Sequence, residues 1–69
     1  MEIRDVFAQN LRRIRQAKKM SQEDLAHRAS IDRTYVSSLE RGVYSPTIEV
    51  VAKIAHALDV EVAELLIAP

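Results

Sequence analysis

Sixty-nine residues are enough for one domain, near the lower size at which a hydrophobic core suffices by itself, and the absence of cysteine excludes disulfide staples and thiolate metal sites. Apolar residues make up 48% of the chain, but with one Phe, two Tyr and no Trp the core must be aliphatic. Ten Lys/Arg balance ten Asp/Glu, and this zero net charge, taken alone, weakens a nucleic-acid reading.

The distribution of charge restores that reading. Residues 1–20 hold six basic and two acidic side chains (+4), residues 21–42 three and four (−1), and residues 43–69 one and four (−3). A basic N-terminal part can face phosphates while the acidic end points away. No apolar run approaches the ~18 residues of a membrane span. The N-terminus alternates charged and apolar residues, unlike a signal peptide. With the missing cysteines, this leads us to expect a cytoplasmic protein.

A first helix is predicted over residues 2–18, with Ile3, Phe7, Leu11 and Ile14 as its core stripe at spacings of 4, 4 and 3. Arg12, Arg13, Arg15, Lys18 and Lys19 crowd its C-terminal half, where cations also complement the helix dipole. Ser21 is a natural N-cap for a second helix, and Asp24 three residues on completes an approximate capping box. Leu25, Ala26 and Ala29 share one face of that helix, and small Ala26 permits a close backbone crossing. Ile31 sits in the break, and Asp32 caps a third helix whose Val36 and Leu39 face inward. Together these two helices form a helix-turn-helix over residues 22–41.

The third helix, 33–40, carries Arg33, Thr34, Ser37 and Ser38, a polar and basic face free of acid until Glu40. Such a face suits a major groove about 12 Å wide, and the planar fork of Arg33 matches guanine O6 and N7. Gly42 is placed to end the helix with positive φ. Pro46 and the N-cap Thr47 open a fourth helix with a core stripe of Ile48, Val51, Ile54, Ala55 and Leu58, widened by Val50 and Ala57. A short fifth helix spans 61–66. Val62, Leu65, Leu66 and Ile67 are more apolar surface than one short helix can bury here, which implies a partner surface.

Other chemistry is thin. His27 and His56 show no ligand spacing with carboxylates on a shared face, and no nucleophile–base pattern or Gly-rich phosphate loop occurs. An enzyme, a metal site and a cofactor are not expected, and no small-molecule ligand is evident.

SQEDLA, DRTYVSSLERG and SPTIEVVAKIAHALDV together resemble the helix-turn-helix region of the lambda-repressor-like (Cro and phage-repressor) family of DNA-binding regulators, over roughly residues 7–67. The resemblance implies an all-α, five-helix domain acting as a homodimer on double-stranded DNA with a roughly palindromic operator, with self-association over about 48–67, Val62, Leu66 and Ile67 in the twofold interface, and Leu65 and Val60 filling the core. It implies base contacts from Arg33, Thr34 and Ser38 with Ser37 adjacent, and backbone contacts from Gln22, Arg15, Tyr35, Arg41 and Tyr44. For Tyr35, packing under the helix is an alternative, and for Tyr44, covering the core is an equal one. It further implies an ion pair between Arg15 and Glu40 that ties the first helix to the third. Lys19, Ser30 and Asp59 depart from the family pattern, standing where relatives usually carry Gly. The small format with DRTYVSSLERG also resembles controller proteins of restriction–modification systems. The competing reading is an antitoxin or adaptor that reuses this fold to bind a protein.

Overall fold

The computed structural model describes residues 2–69, so Met1, the first residue of the expected 1–69 domain, lies outside the described residues. Five helices follow one another: α1 (Ile3–Ala17), α2 (Gln22–Ala29), α3 (Arg33–Glu40), α4 (Ile48–Leu58) and α5 (Val62–Leu66), with no strand among the described residues.

Local chemistry starts these helices where the sequence predicts. The Ser21 hydroxyl accepts from the Asp24 backbone N–H at 2.9 Å, and the Asp24 carboxylate accepts from the Ser21 N–H at 3.1 Å, a reciprocal cap. Asp32 accepts from the Thr34 N–H at 3.0 Å, and Thr47 from the Val50 N–H at 3.2 Å. α5, which lacks a Ser, Thr or Asp cap, starts with the Glu61 N–H donating to the Glu64 carboxylate at 2.8 Å.

Four helices end in one way. The chain turns through a left-handed residue, and two backbone N–H groups bond back to carbonyls of the last turn. Gly42 (φ 72°) serves α3, but Lys19, Ser30 and Asp59 adopt φ of 57°, 58° and 59° after α1, α2 and α4. The three departures from Gly therefore leave the turns unchanged in shape and place side chains where a Cβ is strained. Ser30 sits between the two helices of the helix-turn-helix, where Ile31 N–H closes onto Ala26 C=O at 2.9 Å.

The core is aliphatic around Phe7. Leu11, Leu25, Val36, Leu39, Ile54, Leu58 and Leu65 are fully buried, Ala26 and Ala29 let α2 approach closely, and Ile31, Val50, Ala57 and Val60 pack at its edge. Two members of the expected stripes do not belong to it. Ile3 is 60% exposed and Ile48 85% exposed. Both are the first residue of their helix, and both side chains line a surface groove with Val62 and Leu66. Met20 takes a core position instead. No helix of the described residues is long and apolar enough to cross a membrane.

Candidate nucleic-acid interface

The outward face of α3 follows from its inward one. Val36 and Leu39 are fully buried, so with 100° per residue the opposite side carries Thr34, Ser37, Ser38 and Arg41, with Arg33 about a quarter turn round from its centre. Arg33, Thr34 and Arg41 are exposed and Ser37 is half-buried. This face presents guanidinium and hydroxyl donors without a carboxylate among them.

Ser38, also expected among the base contacts, is nearly buried. Only 7% of the residue is exposed, and its hydroxyl accepts from Arg41 Nη2 at 3.3 Å. Arg41 folds back along the helix, its Nε donating to the Ser37 carbonyl at 3.4 Å. The hydroxyl of Ser38 is thus engaged by the arginine one turn later, a contact that a helical face count does not reveal.

The recognition helix is held from behind by a charged cluster. Arg15 on α1 donates from Nε to Glu40 Oε2 at 2.5 Å and from Nη2 to Glu40 Oε1 at 3.0 Å, a bidentate fork. Its Nη1 donates to the Met20 carbonyl at 2.8 Å. Gln22, in the first turn of α2, donates from Nε2 to Glu40 Oε1 at 3.1 Å. One carboxylate near the end of α3 therefore gathers α1 and α2. The Arg15 and Glu40 side chains are only 11% and 5% exposed. The hydrogen bond to Glu40, partly offset by burial and reinforced by the carboxylate charge, raises the Arg15 guanidinium above its ordinary pKa. Arg15 spends three of its five N–H donors here and Gln22 one of its two, so both keep donors for a phosphate. The first N–H groups of α2, beside Gln22, add further anion-binding capacity.

The aromatic flank is paired. Tyr35 is half-buried and Tyr44 exposed, with ring centroids 6.4 Å apart and planes at 47°. That tilted contact is a favourable aromatic geometry. Tyr44 does not cover the core; it braces Tyr35 from the loop after α3. Arg12, Arg13, Lys18 and Lys19 are all exposed on or just beyond the C-terminal half of α1.

Between α1, α4 and α5, Ile3, Phe7, Ile48, Val51, Val62 and Leu66 line an apolar groove of about 220 Å³. Val62, Leu66 and Ile67 are exposed, and Leu65 is fully buried, as their helical positions predict. Ile67 stands outside the groove's lining. A buried residue that pattern reading missed is Asn10, which α1 carries among its apolar positions.

Comparison with known proteins agrees with this architecture. The helix-turn-helix family model matches residues 11–65. A Neisseria meningitidis protein described as a hypothetical transcription factor is 41% identical over 68 residues, covering 99% of this chain and 64% of that protein; a crystal structure of a Neisseria transcription factor so described superposes with a TM-score of 0.95 over 99% of this chain and 78% of the other, again at 41% identity. Control protein C.BamHI of Bacillus amyloliquefaciens is 43% identical over 65 residues, 93% of this chain and 80% of its own. The restriction–modification controller protein C.AhdI of Aeromonas hydrophila superposes with a TM-score of 0.87 at 44% identity, over 90% of this chain and 94% of that structure. The match extends across both helices of the helix-turn-helix and the elements that brace them, and the chain belongs to the helix-turn-helix family of DNA-binding transcriptional regulators.

Proposed function

We propose that residues 1–69 act as a sequence-specific, double-stranded-DNA-binding regulatory domain that works as a homodimer. Two copies of α3 enter successive major grooves about 34 Å apart on a roughly palindromic operator. The observation that carries this reading is the face of Arg33, Thr34 and Ser37, held outward by the Arg15–Glu40–Gln22 cluster behind it. Arg33 reads a guanine, and Thr34 and Ser37 supply hydroxyls or a methyl contact. Gln22, Arg15, Tyr35 and Tyr44 meet the DNA backbone. Arg41 does so by leaving Ser38, whose hydroxyl is then released toward the groove.

Self-association uses the apolar end, within about 48–67. Val62 and Leu66 border the groove, Ile67 follows, and Ile3 and Ile48 add apolar area that no part of the described chain covers. The names of the relatives support a controller role in a restriction–modification system. A genomic neighbour encoding a nuclease or methylase is the observation that role requires.

The test is selection of bound sequences from a random duplex pool at about 150 mM salt, with Arg33→Ala alongside. A palindromic site whose binding weakens by ~1–3 kcal/mol in the variant supports the reading. Salt-sensitive binding without enrichment, unchanged by Arg33→Ala, rejects it in favour of an adaptor that binds a protein. A strict monomer at high concentration by light scattering rejects the dimer.

A further inference from the structure

Asn10 is the one fully buried polar side chain in α1, and every bond it makes is directed. Its Nδ2 donates to the Leu65 carbonyl at 3.0 Å and to the Ile67 carbonyl at 2.8 Å, both on or beyond the last turn of α5. Its Oδ1 accepts from Arg13 Nη2 at 3.1 Å, which fixes which way the amide points. The residues joined are 55 and 57 positions apart in sequence.

The location matters because α5 has only five residues. Helices shorter than about 12–15 residues are marginal without tertiary support. The last carbonyls of any helix lack partners inside it. Here the chain leaves the helix in extended form at Ile67, so those carbonyls have no left-handed turn to satisfy them. Leu65 anchors α5 to the core through its side chain, and Asn10 anchors the exit through the backbone. Leu66 and Ile67, the exposed apolar residues at this end, lie between and at the two clamped carbonyls.

We infer that Asn10 is a positioning residue for self-association, holding the end of α5 so that Leu66 and Ile67 are presented in one fixed geometry to a second copy of this chain. A buried amide is costly unless satisfied, and a fully satisfied network selects one arrangement over others of similar packing. An aliphatic residue at position 10 would fill the space but would leave both carbonyls unclaimed. The inference rests on the dimer reading above, and its test separates the two.

The dissociation constant of the dimer is measured by sedimentation equilibrium for the full chain, Asn10→Asp and Asn10→Ala, below the melting transition of each. Asn10→Asp keeps the volume and the Arg13 contact while removing both donors. Leu25→Val, a core change on α2, controls for lost stability alone. The expected result is a dimer weakened tenfold or more by both position-10 variants and unchanged by Leu25→Val. Faster hydrogen exchange at the Ile67 amide, which donates to the Ala63 carbonyl at 3.1 Å, accompanies it while α2 amides keep their protection. If Asn10→Asp does not fold, Asn10→Ala carries the comparison, and exchange at Ile67 reports locally in either. A wild-type dimer whose strength the position-10 variants leave unchanged, despite lower melting temperatures, overturns the positioning role alone. A wild type that stays monomeric overturns the dimer reading and this inference with it.

Discussion

Removing Glu40 is the most telling perturbation of the scaffold behind α3. Its carboxylate accepts two bonds from Arg15 and one from Gln22 with only 5% of the side chain exposed. A solvated surface pair would contribute ~0–1 kcal/mol. A fully buried pair broken at one partner costs ~3–5 kcal/mol, because the remaining charge is stranded. In Glu40→Ala, Arg15 keeps its bond to the Met20 carbonyl and lies near enough to the surface to recover some water. That places the loss between the limits, at about 2–3 kcal/mol. A chain of this length has roughly 3–10 kcal/mol of total stability. At about 4–8 °C per kcal/mol, the melting temperature should fall by roughly 10–20 °C. Thermal unfolding followed by circular dichroism, with Arg15→Met and the double variant completing a cycle, measures this directly. A coupling of about 1–3 kcal/mol between the two sites is expected. Single variants that each lose less than ~1 kcal/mol and add in the double would refute the argument, showing a bridge that behaves as an exposed one.

Three further outcomes follow from local geometry. Ser30→Gly and Asp59→Gly relieve φ of 58° and 59° and should each stabilise by roughly 0.5–1 kcal/mol, read as a higher urea midpoint; a lower midpoint for both would contradict the left-handed turns. Gly42→Ala should cost ~1–2 kcal/mol, since φ is +72° and the new Cβ would meet an Asp5 carboxylate oxygen at 3.2 Å; wild-type stability would show that the turn relaxes freely. The Asp24 carboxylate is held below the usual aspartate range, first by the Ser21 backbone N–H and then by the Ser21 hydroxyl. A lowered folded-state pKa contributes stability that is complete above the ordinary aspartate value of about 3.9 and is lost as pH falls through the folded value. Asp24→Asn should therefore flatten part of the acid-side decline in stability, and an unchanged acid profile in that variant would remove Asp24 from its causes.

What could be read from residues alone was whatever depends on near neighbours. Ser21, Asp32 and Thr47 cap helices because an N-cap needs only a side-chain oxygen two or three residues before a free N–H. The periodicity of Val36 and Leu39, or of Ile54, Ala55 and Leu58, marks their inner faces for the same reason. Gly42 announces the end of α3, whereas Lys19, Ser30 and Asp59 conceal the same turn, which only the resemblance to relatives with Gly made visible. The bridge between Arg15 and Glu40 likewise came from that resemblance, since nothing local links side chains 25 positions apart.

The tertiary structure decided what depends on how far one element reaches along another. Ile3 and Ile48 have the spacing of core residues yet stand exposed at the first residue of their helices, where they line a groove at the surface. Ser38 has the position of a groove-facing residue and is nearly buried, with its hydroxyl bonded by Arg41. Asn10 has no pattern of its own. Its role exists only because folding brings two carbonyls of α5 within reach of one amide on α1. Burial and hydrogen-bond satisfaction belong to the assembled surfaces, and a single sequence encodes them without displaying which surfaces will meet.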